Sequence, residues 1–319
     1  MYQPNRPPRS ERVAIRGLSY HLLRWGGGER SADRAPLVLV HGWMDVAASY
    51  QFMVDAFSEA FVQQRAIIAP DWRGFGGTRR QAANDAPAGT GPREVDNYWF
   101  PDYLADLDFL LDQVAPDRPI DLVGHSLGGN VAMHYAGVRP ERIRRLVNLE
   151  GFGMPAARAE QASGRYARWI DELKQLHRGE LELKPYADAN GVARRLMKTN
   201  PRLAQDKADW LALHWAAADA QGRWRILGDA AHKIVNAQLS RVDEVLALYA
   251  RIAAPVLMVR AEEDSLAGWW GERYTQAEFE QRLGAVPRLE QRVIENAGHM
   301  LHHDQPQALA ALIESFLAA

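Results

Sequence analysis

The 319-residue chain contains no cysteine. That absence excludes disulfide bridges, thiolate metal sites and a cysteine nucleophile, and it leaves the redox compartment open. An excess of either charge is missing too: 38 Lys and Arg stand against 40 Asp and Glu, a formal net charge of −2. Such a balance gives no electrostatic reason to expect nucleic acid or an anionic membrane as a partner. No run of about 18 apolar residues occurs, which argues against a membrane span. The opening residues, MYQPNRPPRSER, hold no apolar stretch that could form a signal-peptide core. The expectation is a cytoplasmic protein acting on a small molecule, with its oligomeric state open.

Four short apolar runs are present instead: Leu37–Val40, Ala66–Ala69, Ile120–Val123 and Val256–Val259. Continuous runs of Val, Ile and Leu that stop abruptly in small or polar residues suit parallel strands covered on both faces. Weaker strands are expected at Val13–Ile15, Tyr20–Arg24, Leu146–Leu149 and Leu289–Val293. Helical patterns alternate with them at Tyr103–Val114, Asn130–Val138 and Ala308–Leu317. In the first of these, Leu104, Leu107, Leu111 and Val114 share one face. The alternation predicts an α/β fold with a doubly wound, mostly parallel eight-stranded sheet, whose ligands bind beyond the carboxyl ends of the strands.

Between about Phe152 and Val235 the alternation stops. That stretch has helical patterns, no convincing strand, and the aromatics Tyr166, Trp169, Trp210, Trp215 and Trp224. It reads as a helical cap, residues 152–235, inserted into a core made of residues 1–151 and 236–319. Large rigid aromatics there suit an apolar pocket, although packing alone also accounts for them. The segment Gln81–Arg93, rich in Ala, Gly and Pro, reads as mobile surface.

The chemistry centres on Gly124-His125-Ser126-Leu127-Gly128, a Gly-x-Ser-x-Gly pattern between a buried strand and a helix. A Ser held in a sharp strand-to-helix turn exposes its hydroxyl, and the helix N-terminus behind it favours developing negative charge. Ser126 is therefore the expected nucleophile. A serine needs a base, and the base needs an orienting carboxylate. His299 follows Gly298 on the loop after the last strand and is the expected base. His302 and His303, which would open the next helical turn, are expected to be solvated or capping. Asp264, ending the strand VLMVRAEED, is the first choice of acid and gives the chain order Ser, Asp, His. Glu150, ending RLVNLE, is the alternative, because geometry rather than order defines the role. Glu262 and Glu263 read as surface charges.

Oxyanion donors are expected from the backbone N–H of Leu127 and from the loop after Val40, first Trp43 and then Met44. His41, His125, Asp71 and Arg73 are read as structural, with Asp71 and Arg73 forming an internal brace.

Taken together, His41-Gly42, Asp71-x-Arg73-Gly74, the Ser126 elbow, Asp264 and Gly298-His299 resemble the α/β-hydrolase superfamily over nearly the whole chain. Within it the chain looks like the capped hydrolases related to haloalkane dehalogenases, epoxide hydrolases and serine hydrolase-like proteins. The first two carry Asp as nucleophile; the elbow here presents Ser. The resemblance also bears on Glu150, which matches the strand end where some dehalogenases hold their acid. The expected activity is hydrolysis of a carboxylic ester of a small apolar substrate through an acyl-enzyme, with no metal or organic cofactor required. The same three residues would serve carbon–carbon bond, lactone or amide hydrolysis. A non-catalytic small-molecule receptor on the same fold is a different class of reading.

Overall fold

The computed structural model describes residues 1–27, 34–80 and 95–318. Gln81–Arg93 lies outside the described residues. Eleven strands are formed among those described: β1 (Arg9–Ile15), β2 (Leu18–Gly26), β3 (Leu37–Val40), β4 (Ala66–Pro70), β5 (Arg79–Arg80), β6 (Ile120–His125), β7 (Ile143–Leu149), β8 (Ala216–Ala218), β9 (Trp224–Ile226), β10 (Val256–Ala261) and β11 (Leu289–Ile294).

Eight of them lie side by side in the order β1-β2-β4-β3-β6-β7-β10-β11, with the two-residue β5 pairing off β2. The pairings β1–β2 and β2–β4 are antiparallel, and every pairing from β4 to β11 is parallel. The central strands read as unbroken apolar runs because both faces are covered. Leu37, Leu39, Ile67 and Ala69 enter one apolar core with the helices Gln51–Ala56 and Pro306–Ala318. Val38, Val40 and Ile68 enter the other, with the helices Phe100–Val114 and Leu127–Val138. All of the strands named from sequence are present, within a few residues of their expected ends.

The segment between β7 and the helix Val242–Tyr249 contains three longer helices, Ala162–His177, Ala189–Thr199 and Gln205–Trp215. Expected to be helical throughout, the segment instead includes β8 and β9, which pair antiparallel as a small separate hairpin. It docks on the loops that leave β3 and β4. The Trp215 indole donates to Asp45 (2.9 Å), the Trp43 indole donates to the His232 carbonyl (3.3 Å), and Phe75 bridges Gly228. No helix among the described residues is long and apolar enough to cross a membrane.

Two polar hubs fix the strand-exit loops. The buried Asp106 carboxylate accepts both Arg73 Nε and Nη2 at 2.6 Å, Arg16 Nη1 at 2.8 Å and the Tyr20 hydroxyl. Asp71 accepts the Ala47 and Gly77 amides (2.7 and 2.6 Å) and stands 2.7 Å from His21 Nδ1. Asp71 and Arg73 thus act as an internal brace. Replacing Asp106 by Ala strands buried donors and is expected to lower stability by about 3–5 kcal/mol in denaturant unfolding.

Glycine matters most where β6 turns into its helix. A Cβ on Gly128 would stand 2.0 Å from the Val40 carbonyl oxygen and 2.7 Å from that of His41. Gly128→Ala is expected to lose about 3 kcal/mol or to fail to fold. Gly164, inside the helix Ala162–His177, has no atom within 4 Å of such a Cβ. Gly164→Ala is expected to raise stability by up to about 1 kcal/mol in the same assay.

Candidate functional site

β6 ends at His125, and the helix begins at Leu127. Between them Ser126 has φ 52° and ψ −114°, a region that L side chains rarely adopt. The turn is held because the Ser126 amide donates to Leu149 O (2.8 Å) and its carbonyl accepts from the Asn130 amide (3.0 Å). Gly124 and Gly128 make it possible: a Cβ on Gly124 would lie 2.3 Å from the Gly128 carbonyl oxygen. Ser126 remains partly exposed, and the N–H groups of Leu127 and Gly128, in the first helical turn, have no intrahelical partner.

The loop after β3 passes directly against this turn. A Cβ on Gly42 would meet Ser126 Cβ at 3.2 Å and His125 Nδ1 at 3.0 Å. Trp43 follows Gly42 with its indole 52% exposed, and Met44 has φ 55°. The structure therefore places the Gly42–Trp43 loop against the turn that holds Ser126, beside the Leu127 end of the helix. His41 is structural: its Nε2 accepts the Trp72 amide (2.9 Å), and its carbonyl accepts the Trp72 indole (3.0 Å).

His299 packs on the elbow from the other side. Its ring lies 4.7 Å from that of His125, and its carbonyl bonds His125 Nε2 at 2.8 Å. Its Nδ1 lies 3.3 Å from Glu150 Oε2. Glu150 sits at φ 56° just past β7, and its other oxygen accepts the Ala261 amide at the end of β10 (2.8 Å). Burial pushes Glu150 up to about 7, against the opposing pull of the Ala261 amide and the Ser265 hydroxyl. Burial also pushes His299 down to about 3, which keeps its imidazole neutral.

Asp264, the first choice from chain order, is not joined to His299 by any hydrogen bond among the described residues. It is exposed, and its carboxylate caps the helix Ser265–Trp270 by accepting the Ala267 amide at 2.9 Å. The carboxylate against the imidazole is Glu150. Glu263 pairs with Arg202 (2.6 Å) and Glu262 accepts the Asn296 amide, both at the surface as expected. His302 and His303, expected to be solvated or capping, are instead buried in the short helix Leu301–Asp304.

Sequence reasoning did not single out Trp269. Its ring meets His299 edge-on, 4.3 Å between centroids, and it is substantially exposed. The adjacent pair Trp269-Trp270 shortly after a strand end was the available signal. His232 was missed as well; it is stacked between Phe75 and Tyr98 with ring centroids 3.8 and 3.7 Å away.

Residues 35–306 match the model of the alpha/beta hydrolase fold family. A serine hydrolase-like protein of Danio rerio is 23% identical over 291 residues, covering 88% of this chain and 81% of its own. The 2-hydroxy-6-oxo-2,4-heptadienoate hydrolase of Pseudomonas putida is 34% identical over 145 residues, 44% of either chain. Among solved structures, the thioesterase domain from the curacin biosynthetic pathway superposes with a TM-score of 0.76 at 23% identity, covering 96% of this chain and 99% of that one. With its strand order, its strained serine turn and a family match spanning most of its length, the chain belongs to the alpha/beta hydrolase fold family.

Proposed function

We propose that the protein is a serine hydrolase that cleaves a carboxylic ester through an acyl-enzyme, with Ser126 as nucleophile, His299 as base and Glu150 as the orienting acid. The observation that carries this reading is an imidazole whose Nδ1 faces a buried carboxylate, packed on His125 next to a strained, partly exposed Ser126. With Nδ1 committed to Glu150, Nε2 is the nitrogen left to take the Ser126 proton.

In the forward step Ser126 Oγ attacks the carbonyl carbon and His299 accepts its proton. The oxyanion is received by the backbone N–H groups of Leu127 and Trp43, at the positive end of the helix Leu127–Val138. His299 then protonates the leaving alcohol, activates a water, and returns the proton to Ser126 as the acid departs. A buried Glu150 gains most from its charge when the imidazole beside it becomes positive, so the pair stabilises the transition state more than the resting enzyme. No step calls for a metal or organic cofactor. The segment 152–235 serves as the cap. The exposed indoles of Trp43 and Trp269, one beside the Ser126 turn and one against His299, favour an apolar acyl or alcohol group.

One comparison favours a second reading. The similarity to the Pseudomonas putida protein, which hydrolyses 2-hydroxy-6-oxo-2,4-heptadienoate, favours a keto-acid substrate, on which the same three residues could act at a carbon–carbon bond beside the carbonyl. Chromogenic short-chain esters assayed beside lactones and vinylogous diketones separate the two. Ester turnover is expected, and activity on the diketones alone would establish the second.

Ser126→Ala is expected to reduce ester turnover by about 10⁴-fold or more with an unchanged circular dichroism spectrum. Glu150→Gln is expected to cost about 10²–10⁴-fold in kcat, whereas Asp264→Asn, which preserves a good helix cap, leaves kcat little changed. The reverse ranking in steady-state kinetics would transfer the acid role to Asp264.

A further inference from the structure

Beside the elbow, three polar side chains meet in the core. Asp45 comes from the loop after β3, His125 from the last position of β6, and His302 from the helix Leu301–Asp304. One donor atom from each lies within 4.8 Å of the other two. All three residues are almost completely withdrawn from solvent, with exposures of 4%, 2% and 0%.

Among the described residues their hydrogen bonding is incomplete in a consistent way. Asp45 Oδ1 accepts the Trp215 indole and the Val46 amide, both at 2.9 Å, but Oδ2 has no partner. His125 commits Nε2 to the His299 carbonyl, which leaves Nδ1 as the lone-pair nitrogen, and Nδ1 has no partner. His302 has no partner on either nitrogen. No Lys or Arg is paired with the Asp45 carboxylate among the described residues. Each unsatisfied buried polar group costs about 1–3 kcal/mol, and each of these three side chains carries at least one. A single cation would take one donor from each side chain and supply a countercharge to Asp45, leaving one His302 nitrogen without a partner among the described residues.

We propose that Asp45, His125 and His302 form a binding site for one divalent transition-metal ion of the zinc class. Two imidazoles and one carboxylate are a donor set suited to such an ion, and three protein ligands leave a fourth position open. The outer contacts fit as well. A ligating imidazole usually donates its second N–H to a carbonyl or carboxylate, as His125 does to His299 O, and a ligating carboxylate is itself hydrogen-bonded, as Asp45 is by Trp215. The three donors need only a small inward movement to reach metal–ligand distances of about 2.0–2.2 Å. Because His125 precedes Ser126 and holds the His299 carbonyl, occupancy would bear on the elbow. The site does not depend on the ester-hydrolase reading.

The test uses the full chain, stripped with EDTA and titrated with Zn(II) in a calorimeter, with Co(II) absorption as a second readout. One equivalent of Zn(II) is expected, together with the visible absorption of four-coordinate Co(II). Asp45→Asn and His302→Gln are each expected to weaken binding by at least about tenfold. Ser126→Ala is expected to bind as the native chain does, which separates this site from the serine face. Circular dichroism verifies folding, and if His302→Gln does not fold, the near-isosteric Asp45→Asn decides. No Zn(II) uptake by the native chain, or uptake undiminished in the folded variants, would overturn the proposal.

Discussion

The close approach of three backbone segments around Ser126 is the constraint on which the rest of the site depends. β6 can turn into its helix only if Gly124 and Gly128 lie almost on top of one another, and Gly128 must also press against the Val40 and His41 carbonyls. That contact ties the elbow to β3, whose exit loop then runs past Ser126 through Gly42. A positive φ at Ser126 is costly on its own; the surrounding sheet and loop over-determine it. The same geometry brings the first turn of the helix and the Gly42–Trp43 loop up to Ser126.

The imidazole arm is built on neighbouring strands. β7 carries Glu150 to the sheet edge, the end of β10 donates its Ala261 amide to that carboxylate, and the loop after β11 returns His299 to it. Burial opposes charge on both partners, raising Glu150 and lowering His299. In the proposed reaction an ionised Glu150 faces a neutral imidazole and becomes its ion-pair partner when the imidazole accepts the Ser126 proton. Trp269 closes one flank of the imidazole and limits its contact with water.

The sheet was legible because its central strands are buried on both faces, so Val, Ile and Leu persist without alternation in β3, β4, β6 and β10. The hairpin of β8 and β9 was not, since Ala216–Ala218 has neither β-branched residues nor a period. Ser126 and His299 could be named from strand–turn–helix context. The acid could not be resolved by order alone, because β7 and β10 are adjacent in the sheet and each ends in a carboxylate. What separates them is direction: Glu150 turns inward at positive φ, while Asp264 is occupied as a helix cap. His302 and His303 read as solvated or capping because they open the helical turn after the His299 loop. Their burial arises from tertiary packing against Tyr50 and Phe52.

The central claim is that Ser126 becomes covalently acylated. Treating the native protein with a fluorophosphonate and mapping the adduct by tandem mass spectrometry tests it most directly. One adduct per chain on the Ser126 peptide, absent from Ser126→Ala, is the expected result. A native chain that stays unlabelled while a control serine hydrolase reacts, or an adduct on another residue, would contradict the account.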